Sequence, residues 1–284
     1  MILVTGATGN VGRQVVEQLV AAGEPVRALS RHPERVTWPD GVDPATGDLT
    51  QELPHGVFAD VRALFLFPEP RRVGAVVAAA VEAGVQHVAV LSSLGASMKA
   101  MEGMELLRRR HLDVEQAVEA SPMSWTHVRP GMFMTNTFSW AAGIRTAGVV
   151  RAPYPDATAA PVHEVDIAAV AVAALLDPER HAGHAYELSG PEALSQLDRV
   201  HVLADVLGQP VRFEEQTREQ ARADLLASPW VNEQLADSLL TMQASSVGVR
   251  DGIVLTGVED VLGRPALSFS RWVDDHRQAF VPPA

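Results

Sequence analysis

The 284-residue chain contains no cysteine, so disulfides, thiolate nucleophiles and cysteine-ligated metal or iron–sulfur sites are excluded. Positive charge is scarce as well, because 23 lysines and arginines face 35 acidic residues and leave a formal net charge of −12. Such a charge repels nucleic-acid phosphates and anionic membranes, and no apolar run approaches the roughly 18 residues of a membrane span. The first residues read as a core strand rather than a basic leader, so we expect a cytoplasmic protein without nucleic-acid or membrane partners.

The histidines do not form a recognisable metal-binding pattern. His181 and His184 flank a glycine-containing turn and lack the helical i, i+4 spacing of a ligand pair. We therefore expect these two histidines to be ordinary loop residues and expect no bound metal.

A glycine turn at the start of the chain is its most informative motif. Three apolar residues, 2–4, run into the sequence TGATGNVG at residues 5–12, and an amphipathic stretch follows. In this strand–turn–helix order, glycines let the backbone approach a pyrophosphate and the helix N-terminus binds it. The motif predicts a dinucleotide site, with a tight turn that binds no ligand as the alternative. The residues expected at the phosphates are Gly6, Thr8, Gly9, Asn10, Val11 and Gly12.

Apolar strand patterns alternate with amphipathic helix patterns along the first half of the chain. Apolar runs without strict alternation are typical of a parallel sheet covered on both faces. The predicted fold class is α/β, a Rossmann-type doubly wound parallel sheet with a smaller, mostly helical C-terminal substrate lobe. We expect the dinucleotide-binding core in residues 1–150 and the lobe in residues 151–284, with a segment near residues 185–190 returning to the main sheet. Trp230 and Trp272 are predicted on amphipathic helix faces of the lobe.

The glycine spacing, Gly-x-x-Gly-x-x-Gly, is one residue longer than the Gly-x-Gly-x-x-Gly pattern of many dehydrogenases. With this motif the chain resembles the short-chain dehydrogenase/reductase superfamily, specifically its atypical NmrA-like branch. The resemblance extends over most of the chain and implies an NAD(P)H-dependent oxidoreductase. Further matching segments are GDL at residues 47–49, SS at 92–93, HLDVE at 111–115, RPGMF at 129–133 and VDIA at 165–168.

The end of the second predicted strand, with the sequence LSRH at residues 29–32, favours NADPH as the cofactor. It lacks the acid that binds the ribose 2′-hydroxyl of NAD, and the planar fork of Arg31 suits a 2′-phosphate. Arg35 is a weaker second candidate, and a plain surface arginine is the alternative for Arg31. The resemblance implies further cofactor contacts, each of which could instead be an ordinary loop or core residue: Ser30, Asp48, Leu49, Phe67 and Pro68.

The chain lacks the Tyr-x-x-x-Lys pair with which typical short-chain reductases protonate their substrates. Its one lysine is Lys99, and neither Tyr154 nor Tyr186 has a lysine four residues later. The usual proton donor is therefore excluded.

The resemblance places His111 where the tyrosine stands and Glu115 where the lysine stands. The two lie one helical turn apart on one face, so His111 is a candidate proton donor that Glu115 would keep charged. A His–Glu pair on the helix surface is the alternative. Ser92 ends the strand that usually brings the catalytic serine, although it could merely cap the turn.

Two functions are open at this point. The first is a ketoreductase or quinone reductase that transfers a hydride from NADPH to a carbonyl of an apolar, aromatic or polyketide-type substrate. The second, also implied by the resemblance, is a non-catalytic NADP(H) sensor that binds a protein partner. The aromatic and methionine-rich residues 132–140 favour the enzyme, because they would line a pocket for a flat molecule, although they could equally be core packing. Met132, Phe133 and Asn136 are the predicted substrate contacts, in a monomer or a homodimer.

Overall fold

Seven parallel strands form the central sheet of the computed structural model, which describes residues 1–97, 105–228, 231–250 and 253–282. The strands of the chain are β1 (Ile2–Thr5), β2 (Val26–Ser30), β3 (Val42–Thr46), β4 (Ala63–Leu66), β5 (His87–Leu91), β6 (Ser124–Pro130), β7 (Val149–Ala152), β8 (Thr158–Ala159), β9 (His184–Leu188), β10 (Leu194–Ser195) and β11 (Arg212–Glu215). The central sheet has the order β3-β2-β1-β4-β5-β6-β9. The chain thus winds outward from β1 to β3, crosses back to β4 beside β1, and winds outward again. Lys99 and Trp230 lie outside the described residues.

Helices cover both faces of this sheet. The α-helices of the described residues are α1 (Asn10–Ala21), α2 (Val73–Glu82), α3 (Glu105–Glu119), α4 (Ala141–Ala147), α5 (Glu164–Leu176), α6 (Pro178–His181), α7 (Gln196–Leu207), α8 (Arg218–Leu226), α9 (Glu233–Ser245), α10 (Gly257–Leu262) and α11 (Phe269–Asp275). Helices α1 and α5 pack on one face, and α2 and α3 pack on the other. Because helices cover both faces of the central sheet, its strands do not alternate between apolar and polar residues. An example is β4, whose sequence ALFL is fully buried. The predicted Rossmann-type, doubly wound sheet is confirmed.

A second, smaller apolar core lies beside the sheet. Trp272 and Phe269 of α11 pack against Val200 and Leu203 of α7 in this core. Two short sheets flank it, in which β11 pairs in parallel with β7 and β10 pairs antiparallel with β8. No helix in the described part of the chain is both long and apolar enough to cross a bilayer.

Two elements from beyond residue 150 complete the main sheet and its cover. Strand β9 pairs in parallel with β6, and α5 packs on α1. Buried carboxylates on α5 then hold the C-terminal segment in place. Glu164 accepts a hydrogen bond from Trp272 Nε1 at 3.0 Å, and Asp166 lies 2.8 Å from Arg264 Nη2.

Candidate functional site

The carboxyl ends of the seven parallel strands meet at one edge of the main sheet, which is where open α/β folds bind ligands. Because several predicted residues directly follow strand ends, the topology brings them to this edge from distant parts of the sequence. They are Gly6 after β1, Arg31 after β2, Asp48 after β3, Phe67 and Pro68 after β4, Ser92 after β5, and Met132 and Phe133 after β6.

The turn between β1 and α1 has the geometry of a phosphate-binding loop. Gly6 adopts a φ of +62°, and a Cβ on Gly12 would lie 2.2 Å from the Gly6 carbonyl oxygen, so the turn needs glycine at both positions. Gly9 is the N-cap of α1 without a side-chain hydrogen bond, and the first turn of α1 carries no acidic residue. The first N–H groups of the helix therefore lack a side-chain cap, which is a feature of helix N-termini that bind anions. Thr8, Gly9 and Asn10 are exposed, whereas Val11 is buried.

The exposed Arg31 guanidinium lies close to the Asp48 carboxylate. A backbone hydrogen bond from Thr50 lowers the pKa of Asp48, and the charges of Arg31 and Arg71 lower it further. Arg71 is bound by Glu69, whereas Arg31 makes no hydrogen bond or salt bridge with the residues that the structure describes. The fork of Arg31 is thus available to a ligand.

The remaining predicted cofactor contacts differ in exposure. Phe67 is 39% exposed and lies over the glycine turn, because a Cβ on Gly6 would be 3.2 Å from its ring. Its backbone N–H donates to Thr5 Oγ1 at 2.7 Å, which ties β4 to the start of the turn. Leu49 is half-buried against the core under α2, Pro68 is buried, and Ser30 is buried with its Oγ accepting a hydrogen bond from the His32 N–H.

A buried ion pair joins β6 and the end of β5 to α3. The Glu115 carboxylate accepts two hydrogen bonds from Arg129, at 2.9 and 2.7 Å, and one from Ser92 Oγ at 2.5 Å. Burial raises the pKa of the Glu115 carboxyl, but the hydrogen bonds from Arg129 and Ser92 outweigh it and hold that pKa below its usual value. Glu115 is therefore ionised at neutral pH, and the hydroxyl hydrogen of Ser92 is committed to it.

Glu115 does not keep His111 charged, contrary to the expectation from the sequence. Burial, with a smaller contribution from the charge of Arg110, lowers the pKa of His111 to about 4, and Glu115 offsets only part of this effect. The His111 Nδ1 is buried and has no hydrogen-bond partner among the described residues. The hydrogen bonds that the Glu115 carboxylate accepts come from Arg129 and Ser92. His111 is consequently neutral at neutral pH.

The aromatic and methionine-rich stretch 132–140 is divided between the strand edge and the second core. Met134 is 1% exposed within that core, and Phe138 packs on Trp272 with ring centroids 5.0 Å apart. Met134 is therefore core packing, and the half-buried Phe138 packs against the same core. Met132 and Phe133 are half-buried directly after β6, and Asn136 is exposed.

Sequence reasoning missed Arg199 on α7. This residue is 3% exposed, and its Nη1 lies 3.8 Å from Met132 Sδ. Its guanidinium also lies over the ring of Trp140, 4.9 Å from the centroid. The helical period contained the signal, because Arg199 falls on the same buried face of α7 as Val200 and Leu203.

The residues at the strand edge fit an NADP-type dinucleotide. The glycine turn leaves space that side chains would fill, and the uncapped start of α1 suits a pyrophosphate. No acid directly follows β2 to bind a 2′-hydroxyl, and Arg31 stands there instead, with no hydrogen bond from its guanidinium to any described residue.

Comparison with known proteins gives matches over nearly the whole chain. The model of the NmrA-like family matches residues 1–248. A (4-alkanoyl-5-oxo-2,5-dihydrofuran-3-yl)methyl phosphate reductase of Streptomyces griseus is 43% identical over 99% of this chain and 100% of its own length. An NAD(P)H azoreductase of Xenophilus azovorans is 34% identical over 99% of each chain. The NADPH complex of an Escherichia coli NADPH-dependent quinone oxidoreductase has the same fold, with a TM-score of 0.78 and 23% identity over 98% of this chain and 100% of that one.

Proposed function

Because this chain belongs to the NmrA-like family, we propose that it uses NADPH to reduce a small acceptor with an electron-poor conjugated bond. The relatives at 43% and 34% identity confirm the predicted class, an NAD(P)H-dependent reductase. Their names refer to a furanone with two conjugated carbonyls and to azo compounds. Such acceptors share a bond that accepts a hydride readily, and we assign the same chemical class to this chain.

The observation that carries the proposal is the glycine turn with Arg31 beside it. The start of α1 would bind the pyrophosphate, and the fork of Arg31 would bind the 2′-phosphate. Asp48 and Leu49 would flank the adenine, and Phe67 would border the cofactor where β4 ends. This arrangement favours NADPH over NADH, because a cation, Arg31, and no carboxylate directly follows β2, where NAD-binding folds place the acid that binds the ribose 2′-hydroxyl.

The acid–base groups near the strand edge favour acceptors whose reduction needs little general acid catalysis. When bound, NADPH supplies a hydride from its nicotinamide ring. The Ser92 hydroxyl donates to Glu115, and His111 is neutral, so neither side chain is arranged as a proton donor. Quinones and conjugated furanones delocalise the negative charge that the hydride brings, and water can supply the proton. Reaction then depends mainly on positioning the two molecules.

The test is NADPH consumption with menadione, an azo dye, an alkanoyl dihydrofuranone and cyclohexanone. We expect turnover of at least one conjugated acceptor and a rate about 100-fold or more lower with cyclohexanone, whose carbonyl is not activated. Binding of NADPH without turnover of any acceptor would instead identify a non-catalytic NADP(H) sensor.

A pair of glycine variants ties the activity to the turn. In Gly9→Val the new side chain occupies the phosphate space, and a Cβ there meets only the Gly6 carbonyl oxygen, at 3.3 Å, so the fold should survive while NADPH binding is lost. Gly74→Val on α2 is the matched control, because no atom lies within 4 Å of a Cβ at that position. Circular dichroism checks the fold of both variants.

A further inference from the structure

Arg199 is a buried cation without a counter-ion among the residues that the structure describes. The residue is 3% exposed, and it forms no salt bridge with any carboxylate in the described ranges. Its sequence neighbour Asp198 is held by Arg250 at 2.7 Å and by the Ser195 N–H at 2.9 Å. Arg129 shows the contrast, because a carboxylate neutralises that largely buried guanidinium through two hydrogen bonds.

The groups that do contact Arg199 compensate for little of its lost hydration. Its Nη1 lies 3.8 Å from Met132 Sδ, and its Nε lies 3.5 Å from the carbonyl oxygen of Ser195. A thioether is a weak acceptor, and the ring of Trp140 attracts a cation less strongly than a carboxylate does. Burial lowers the pKa of Arg199 to about 10, so the guanidinium keeps its charge at neutral pH. A buried charge in this condition is costly to the folded protein unless a ligand neutralises it.

Met132 connects this charge to the candidate site. It lies two residues beyond β6, at the edge where the strand ends converge, and its carbonyl oxygen accepts a hydrogen bond from the Val162 N–H at 2.8 Å. The guanidinium therefore lies between the second core and the strand edge, against a residue predicted to contact the substrate.

We propose that Arg199 binds an oxyanion carried by the substrate, a phosphate or a carboxylate group, while Met132 and Trp140 contact its apolar part. The planar guanidinium presents parallel N–H donors that match two oxygens of either group. This inference rests on the proposed function, because it assigns the anion to the molecule that is reduced.

Three acceptors test the proposal: an alkanoyl hydroxymethyl dihydrofuranone, its phosphate ester and its carboxymethyl ether. In the wild type, kcat/KM for at least one anionic acceptor should be about tenfold or more higher than kcat/KM for the neutral alcohol. Comparing kcat/KM for the phosphate ester with that for the carboxymethyl ether then shows which of the two anions the site prefers. In Arg199→Met this ratio should fall to near one, through loss of kcat/KM for the anionic form. The exposed Arg212 of β11 gives the matched control, and Arg212→Met should keep the wild-type ratio.

Two results would overturn the proposal: a wild-type ratio near one, or a ratio that survives in Arg199→Met. The variant should unfold at a temperature no lower than the wild type, because an apolar chain replaces an uncompensated charge. If it does not fold, Arg199→Lys keeps the charge without the fork and should lower the ratio. A lower unfolding temperature together with equal losses for all three acceptors would make Arg199 structural.

A binding measurement separates this proposal from the proposed reaction. Calorimetric titration of the NADP⁺-loaded protein with the three acceptors needs no turnover. The affinity for one of the anionic forms should be about tenfold or more higher than the affinity for the alcohol. Arg199→Met should remove this difference in affinity. If no acceptor is reduced but the anionic form still binds more tightly, the proposed reaction is refuted and the proposed anion site is supported. Equal affinities would refute the anion site whatever the turnover.

Discussion

The Ser92 hydroxyl donates a hydrogen bond to the Glu115 carboxylate at 2.5 Å, and this bond fastens the end of β5 to α3. Arg129 of β6 binds the same carboxylate, so three elements meet at one buried charge. The resemblance to short-chain reductases implies that Glu115 stands where those enzymes carry a lysine, and in this structure its carboxylate binds two side chains of the protein itself. Its hydrogen bonds join α3 to β6 and to the end of β5, and we expect this carboxylate to position the three elements.

Glu115→Gln should destabilise the protein by about 3 kcal/mol, because it leaves the largely buried Arg129 without its counter-ion. Urea unfolding measures the change. Glu105→Gln is the control on the same helix, because Glu105 is about half exposed and pairs with the exposed Arg109, so that this pair should contribute less than about 0.5 kcal/mol. Equal effects of the two variants would contradict a positioning role for Glu115.

Arg31→Ala should weaken NADPH binding about tenfold or more and leave NADH binding nearly unchanged, because only NADPH carries the 2′-phosphate. Fluorescence titration with both coenzymes gives the two affinities. Arg35→Ala is the neighbouring control, because Arg35 is exposed and lies 3.7 Å from Glu34. If Arg31→Ala weakens both coenzymes equally, Arg31 does not read the 2′-phosphate.

His111→Ala should change kcat with a quinone by less than about threefold, and the wild-type pH profile should show no titration near the usual histidine pKa. The reason is that burial lowers the pKa of His111 to about 4, so the side chain is not protonated at neutral pH. The exposed His201 provides the control variant, His201→Ala. A loss of about 100-fold in the His111 variant alone would restore this residue as the proton donor.

The pair of Glu164 and His276 should make stability depend on pH. Their atoms Oε1 and Nε2 are 3.0 Å apart. Burial raises the pKa of Glu164, but hydrogen bonds from His163 and His276 outweigh it and lower that pKa to about 2 from its usual 4.5. The hydrogen bond to Glu164 raises the pKa of His276 above its usual 6.5.

Glu164 therefore contributes to the free energy of unfolding above pH 4.5, and this contribution is lost as the pH falls towards 2. The contribution of His276 to the free energy of unfolding is present below pH 6.5 and is lost as the pH rises through the pKa of His276 in the folded protein. His276→Gln should cost about 1–2 kcal/mol of unfolding free energy near pH 5.5 and less near pH 8.5. Urea unfolding at both values tests this, with His201→Gln as the exposed control. A cost independent of pH would contradict a charged pair.

Local features of the sequence determined the fold class and the predicted cofactor turn. Apolar runs without alternation indicated a covered parallel sheet, because that pattern depends only on which faces of each strand are buried. The glycine turn, and Arg31 in place of an acid after β2, are equally local, because turn geometry and charge depend on adjacent residues. The sheet is confirmed by the structure, whereas the cofactor contacts remain predictions.

Tertiary structure alone decided which charges are paired, and this changed the interpretation of the catalytic candidates. Helical spacing correctly put His111 and Glu115 one turn apart, but the Glu115 carboxylate is bound by Arg129 and Ser92, which come from two strands. The spacing of residues along a chain does not give their burial. Desolvation depends on packing by distant segments, and for that reason only the fold shows that burial lowers the pKa of His111 and that Arg199 is a buried cation with no counter-ion in the described ranges.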